Sequence, residues 1–260
     1  MYSIINLYSV NIGGYSKNTF SQISIQDLIV EIKKNTLNKP FIICLQEVTD
    51  KQIDVIRNKR HNPYNSVTAM QANPSKDASG KKYYSYNAVL ISDDFEFTGI
   101  QVPTQFFQGG RSTNWCQIKH KESQSVFEIC SLHAKISTSA TDLSLIISEL
   151  LDTHHNRILC GDFNVRFAKL LDYTRNIKDG VYNYLAKIDK SLSLGKNTDF
   201  IFTDAANLEI VNFNNNLNIQ VSKKIPHSVI CAQIILNWPT PNKIGGIAHY
   251  LSKYVRFILY

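Results

Sequence analysis

The sequence has no CxxC pair, and its five cysteines stand singly at Cys44, Cys116, Cys130, Cys160 and Cys231. An odd number without short paired spacings argues against both a zinc site and a disulfide frame. Cys44, Cys130 and Cys160 fall inside apolar, strand-like runs, so they read as buried, reduced thiols of an intracellular protein of the cytoplasm or nucleus. No apolar run approaches the ~20 residues of a membrane-spanning helix. Met1 to Val10 lacks the basic start and long apolar stretch of a secretory signal. Solenoid or propeller repeats and low-complexity linkers are missing as well, so the 260 residues read as one unit able to bury a large core. Acidic side chains are the scarcer charge, 21 against 28 basic ones, which leaves a net charge of +7. That balance favours polyanionic partners such as nucleic acid or an anionic membrane surface. The abundance of Asn, Ile and Lys also accounts for the excess without any substrate. With 43% hydrophobic and 19% charged residues the composition is that of an ordinary globular protein.

What is present is a succession of strands interleaved with a few helices. Ser3 to Val10 alternates as a strand and ends at the turn signal Asn11-Ile12-Gly13-Gly14. Ile25, Leu28, Ile29 and Ile32 recur at helical spacing, with Asn35 near the end. Phe41 to Leu45 is a continuous apolar run, as expected of a strand covered on both faces. Arg60 to Lys82 is polar and turn-rich and reads as a surface loop. Strands are expected again at Tyr86–Ser92, Asn114–Lys119, Val126–Leu132, Arg157–Cys160, Asp199–Thr203 and Val229–Ile235. A second amphipathic helix is expected around Leu143, Ile146, Ile147, Leu150 and Leu151. Many strands with two or three helices predict two packed sheets flanked by helices.

The chemistry lies where these strands stop. Asn11, Glu47, His133, Asp162 with Asn164, and Asp199 each sit at or just beyond the end of a separate apolar run. Taken singly, a polar residue after a strand is usually a turn or cap residue, and a lone histidine is usually structural. Together they describe a rim of metal- and phosphate-compatible groups on one edge of a sheet.

Leu45-Gln46-Glu47-Val48, Gly161-Asp162-Phe163-Asn164 and Thr198-Asp199-Phe200-Ile201-Phe202, in that order, resemble elements of the endonuclease/exonuclease/phosphatase superfamily. Asn11 with Gly13 and Ser131-Leu132-His133 resemble two more, and the likeness runs from about residue 3 to residue 236. The resemblance implies a four-layered α/β sandwich over residues 1–238, with residues 239–260 as a C-terminal extension. It also implies Mg²⁺- or Mn²⁺-assisted attack of water on a phosphate ester. Glu47, aided by Asn11, would hold the metal, because a hard cation takes oxygen ligands. Asp162 would orient and deprotonate the water, with Asn164 positioning it or the phosphate. His227 would face the phosphate, oriented by Asp199, and His133 would donate to a phosphate oxygen.

One element departs from the pattern. Where the superfamily carries Ser-Asp-His, this chain reads Ile225-Pro226-His227, and proline offers neither a carboxylate nor an N–H. Asp204 or Glu209 would be the nearby carboxylates able to compensate. Arg111, after Gly109-Gly110, and Arg166, just beyond Asn164, are candidate phosphate contacts. Lys81, Lys82, Tyr83, Tyr84 and Tyr86 mix cations with rings, as suits a nucleic-acid strand. Ile247, Leu251, Val255 and Ile258, with Lys253 and Arg256 between them, form a basic amphipathic pattern suited to the domain's own surface or to a membrane. The expectation is a nuclease acting on nucleic-acid phosphodiesters. The alternatives are a phosphatase of inositol phosphates or phospholipid headgroups, and a non-catalytic binding protein on the same scaffold.

Overall fold

The computed structural model describes residues 2–13, 22–36, 39–58, 65–71, 75–76, 80, 82–100, 113–134, 157–166, 198–203, 208–214 and 230–237. Among them run, in chain order, β1 (Tyr2–Asn11), α1 (Gln22–Thr36), β2 (Phe41–Thr49), α2 (Asp50–Arg57), β3 (Asn65–Gln71), β4 (Ser75–Lys76), β5 (Lys82–Tyr83) and β6 (Ser85–Ser92). There follow β7 (Phe95–Ile100), β8 (Thr113–His120), β9 (Val126–His133), β10 (Arg157–Asp162), β11 (Asp199–Thr203), β12 (Leu208–Asn214) and β13 (Ile230–Asn237).

Two mixed sheets result, ordered β12-β13-β1-β2-β6-β3 and β11-β10-β9-β8-β7. Each contains one parallel pair, β1 with β2 and β9 with β10, and every other pairing is antiparallel. The sheets pack face to face through Leu7, Ile42, Cys44, Val89, Ile91, Cys116, Ile129, Ile158, Cys160 and Ile234. Burying a branched aliphatic side chain of this kind contributes ~1.5–3 kcal/mol, so this layer dominates the fold's cohesion. Alternate residues of the same strands, Tyr8, Val10, Ile43, Leu45, Ala88 and Leu90, face the other way. They meet Ile25, Leu28, Ile29 and Ile32 of α1 and Ile53 and Ile56 of α2. This is the α/β sandwich expected from the pattern of strands and helices. No helix of the described residues is long and apolar enough to cross a membrane.

Local chemistry explains the helices. The buried residues of α1 stand at i, i+3, i+4 and i+7, and Lys33 and Lys34 complement the dipole in its last turn. Thr49 caps α2 by accepting from the Gln52 N–H at 3.3 Å, while the Gln52 side chain accepts from the Thr49 N–H at 2.9 Å. Strand β2 therefore passes directly into α2, which begins three residues after Glu47.

The expected loop over 60–82 needs correction. Asn65–Gln71 pairs with β6 as the edge strand β3, and Ser75–Lys76 pairs with Lys82–Tyr83 in a short hairpin. Val67 and Ala69 pack against the helix-side core, but the strand's sequence is otherwise mostly polar, so this edge strand reads as loop. Strands β7 and β12 and helix α2 also go beyond the expected elements. The helix expected around 143–151 and the C-terminal extension 239–260 lie outside the described residues.

Candidate functional site

The site is built at the end where β1, β2, β9 and β10 all terminate. Strand alternation points Leu7, Cys44, Ile129 and Ile158 into the inter-sheet core. Two residues further along each strand come Ser9, Gln46, Ser131 and Cys160, and then Asn11, Glu47, His133 and Asp162. An apolar core thus gives way to a buried, largely polar tier, and that tier to a cluster of donors and carboxylates.

Glu47 should break this scheme, since it follows Gln46 by one residue and ought to face the helices. A bulge in β2 prevents it. Leu45 pairs with Ala88 but Val48 pairs with Tyr86, so Gln46 and Glu47 together oppose the single residue Asn87. Glu47 takes a left-handed backbone, φ 55°, and both side chains turn toward β9. Gln46 Nε2 donates to Ser131 Oγ at 2.9 Å, and Glu47 Oε1 lies 3.2 Å from His133 Nε2. A non-glycine residue held at positive φ is costly and is found where surrounding structure demands it.

The turn after β10 is equally constrained. Gly161 has φ 142°, and a Cβ there would sit 1.9 Å from the Leu132 carbonyl oxygen, so only glycine lets β10 lie against β9 at this point. Asn164 is left-handed at φ 51°. Its N–H donates to Asp162 Oδ1 at 2.9 Å and its side-chain Nδ2 to the Ala134 carbonyl at 2.6 Å. Backbone bonds from Ala134 N–H to the Asp162 carbonyl and from Phe163 N–H to the Thr198 carbonyl close the turn on both sides.

These constraints bring four groups together. Asn11 Nδ2 donates to Asp162 Oδ2 at 2.9 Å and approaches Glu47 Oε1 at 3.4 Å. Its own Oδ1 accepts from the Gly13 N–H at 2.9 Å, which fixes the amide's orientation. His133 Nε2 lies 3.9 Å from Asp162 Oδ2 as well as 3.2 Å from Glu47. Asp162 and His133 are almost wholly buried, whereas the Glu47 side chain is 25% exposed and opens the cluster to solvent. Two carboxylates facing one amide and one imidazole concentrate negative charge that a cation would neutralise.

Those oxygens suit a hard divalent ion. Among the described residues no three His, Cys, Asp or Glu side chains are grouped so as to hold a metal ion by themselves. Mg²⁺ commonly binds through one or two carboxylates and completes its shell with water and substrate phosphate, so a solvent-open site built on the Glu47 carboxylate fits.

Asp199 pairs with Asp162 across the β10–β11 register and is buried beside it. Arg166 is exposed just beyond the turn. Arg111, Asp204, Pro226 and His227 lie outside the described residues. On β12, Glu209 pairs with Ile235, which pairs with Ile4, toward the opposite end of β1 from Asn11. Of the tyrosine-rich segment, Lys82 is exposed, and the hydroxyl of half-buried Tyr86 donates to Asp50 Oδ1 at 2.7 Å. Ser9, Gln46 and Ser131 were not anticipated as parts of the site. The signal for Ser9 and Ser131 was simple, because each stands two residues before a site residue on the same strand.

A two-sheet α/β sandwich with carboxylates, amide and imidazole gathered at its strand ends defines a class. The family model described as Endonuclease/Exonuclease/phosphatase family matches residues 8–214, and the chain belongs to that family. The catalytic domain of human Nocturnin with bound sulfate anion is similar in fold, with TM-score 0.66 and 16% identity over 91% of this chain and 97% of that one. A Bacteroides thetaiotaomicron mannosyl-6-phosphatase aligns with TM-score 0.60 and 14% identity over 88% and 99% of the two chains. Danio rerio TDP2 complexed with a single-strand DNA product aligns with TM-score 0.57 and 13% identity over 89% and 99%. No curated protein matches the sequence.

Proposed function

We propose that this chain is a divalent-metal-dependent phosphodiesterase whose substrate is nucleic acid. The observation that carries the proposal is the convergence of Glu47 and Asp162 on the Asn11 amide and His133 Nε2, at 2.9–3.9 Å, at an edge partly open to solvent. Bound Mg²⁺ or Mn²⁺ would neutralise charge on the phosphoryl oxygens.

Glu47 and Asn11 hold one side of this centre, Glu47 as ligand and Asn11 as the amide that sets the carboxylate's position. Asp162 accepts the proton of the attacking water as its oxygen bonds to phosphorus and the ester P–O bond breaks. The Asn164 N–H at 2.9 Å from Asp162 Oδ1 leaves Oδ2 as the oxygen facing Asn11 and the cluster. His133 Nε2 supplies the donor to a phosphate oxygen. His227, oriented by Asp199, is read as facing the phosphate, and Arg111 and Arg166 as further phosphate contacts.

Nucleic acid is favoured by the +7 net charge and by a fold shared with a protein seen bound to a DNA product. A phosphomonoesterase is the second reading, favoured by the mannosyl-6-phosphatase neighbour. The free cysteines, four of them buried, fit a reducing compartment, cytoplasm or nucleus. Hydrolysis of single- and double-stranded DNA, RNA, a simple phosphodiester and a phosphomonoester, with Mg²⁺ or Mn²⁺, tests the proposal. Metal-dependent cleavage of the nucleic acids that is lost in Asp162→Ala is expected. Turnover of the monoester alone would move the chain to the phosphatase reading. Binding of DNA or RNA without cleavage would make it a non-catalytic scaffold.

A further inference from the structure

Gln46 is wholly buried and belongs to the polar tier beneath the cluster. Its Nε2 donates across the inter-sheet gap to Ser131 Oγ at 2.9 Å and approaches Ser9 Oγ at 3.4 Å on the neighbouring strand. Ser131 Oγ in turn donates to the Leu45 carbonyl at 3.2 Å, the residue immediately before Gln46. A closed loop of bonds therefore ties β2 to β9 one residue before Glu47 and two residues before His133.

As a contribution to the core this loop is a poor choice. The Gln46 Oε1 atom is buried and has no hydrogen-bond donor among the described residues, and an unsatisfied buried carbonyl opposes folding. The positions one step below, Cys44 and Leu7, are filled by apolar groups, and an apolar side chain would serve packing at 46 equally well.

The bulge supplies what packing does not explain. With Gln46 and Glu47 both opposite Asn87, the rotation of the bulged segment is not dictated by the β2–β6 ladder. On its other edge β1 holds the Gln46 backbone, where the Ile12 N–H donates to the Gln46 carbonyl at 3.1 Å, and across the inter-sheet gap the Gln46–Ser131 bond holds the side chain. We infer that Gln46 is a positioning residue: its bond to Ser131 anchors the bulge and so fixes the Glu47 carboxylate against Asn11, His133 and Asp162 in the geometry that binds the divalent ion. This rests on the metal-dependent reading above, and it concerns the apo geometry that the ion meets rather than any reacting atom.

The test is Mn²⁺ titration of the full-length chain without substrate, followed by electron paramagnetic resonance, for wild type, Gln46→Met, Ser131→Ala and the double variant. Thermal unfolding of each in the presence of chelator accompanies it. Supporting groups of this kind typically change metal affinity by ~10–100-fold. Gln46→Met is expected to weaken Mn²⁺ binding within that range, with Ser131→Ala, the gentler substitution, shifting it the same way. The double variant removes both partners, so its unfolding temperature should return to or exceed that of wild type while its Mn²⁺ affinity stays weak. A purely structural role predicts instead that affinity recovers together with stability, and that result overturns the inference. So does Mn²⁺ binding by either single variant within twofold of a wild type that binds normally. If wild type itself binds no Mn²⁺, the metal-dependent reading falls and takes this inference with it.

Discussion

Replacing Gly161 by alanine tests the geometry of the site at its tightest point. Two costs are separable there. The first is conformational: φ 142° is a region that residues with a Cβ avoid, at a cost of ~1–3 kcal/mol. The second is steric. The new Cβ would lie 1.9 Å from the Leu132 carbonyl oxygen, and real contacts essentially never fall below 3.0 Å, so β10 must retreat from β9 by about 1.1 Å. That carbonyl belongs to the backbone of a buried strand and cannot swing aside. The retreat strains the Ala134–Asp162 backbone bond, at 2.8 Å, and an intramolecular bond of this kind is worth ~1 kcal/mol net.

Together the costs predict a loss of ~2–4 kcal/mol in urea-unfolding free energy. Gly80 provides the control. Its φ is also positive, 81°, but a Cβ there meets nothing within 4 Å, so Gly80→Ala should show only the backbone cost of ~1–2 kcal/mol. The excess loss in Gly161→Ala reports the clash together with the difference between the two backbone costs. Asp162 and His133 form the next register pair after Gly161 and Leu132, so a displacement of about 1 Å reaches the site and should lower hydrolysis by ~10²-fold. Equal unfolding free energies for the two variants would refute the claim that β10 and β9 are in forced contact at this turn.

Three further outcomes follow from named interactions. Glu128 Oε2 accepts from Arg157 Nε at 2.7 Å and Trp115 Nε1 at 3.0 Å, with the guanidinium 4.7 Å above the indole. Glu128→Ala should therefore cost ~1–3 kcal/mol in urea unfolding, because it removes the carboxylate that accepts from half-buried Arg157 and from buried Trp115, and Glu128→Gln should cost less. His120 has its pKa lowered by burial, against the opposing pull of Asp94 and Glu122. The unfolded chain thus binds its proton first, so this contribution is complete above the ordinary value of 6.5 and is lost as pH falls below it. Burial pushes the Cys44 and Cys130 thiols well above their ordinary value of 9.0. Their contribution holds below pH 9.0 and is lost as pH rises past it, so stability followed by thermal melting should fall on both sides of a plateau. If the substrate is nucleic acid, binding should weaken steeply with salt, with a log–log slope set by the number of phosphates contacted.

The strands that carry the site were legible because burial on both faces leaves continuous apolar runs, as in Phe41 to Leu45 and Ile158 to Cys160. Their ends were legible because a carboxylate or amide interrupts each run abruptly. Strand β3 was not, since Asn65 to Gln71 is mostly polar and only its long-range pairing with β6 identifies it as a strand. The bulge at Gln46 and Glu47 was invisible for a different reason. A two-residue period assigns Glu47 to the helix side, and only pairing with β6 shows that the period slips there. The two-residue period places Ser9 and Ser131 on the site face, but their bonds with Gln46 could not be read until the opposite sheet is in place.

Pro226 bears on how complete the centre is. The element Ile225-Pro226-His227 lies beyond residues 8–214, which the family model covers. The contacts among Asn11, Glu47, His133 and Asp162 are made entirely within β1, β2, β9 and β10. This half of the site therefore stands without a carboxylate at 226, and the substitution should weaken metal binding rather than abolish the cluster. Pro226→Asp is the direct test. If residue 226 faces the cluster, the added carboxylate should tighten Mn²⁺ binding by ~10–100-fold, the range by which a supporting group alters a metal site. Hydrolysis at limiting metal should rise in parallel and converge with wild type at saturation, because only occupancy has changed. Unchanged affinity in a stably folded variant would show that position 226 points elsewhere.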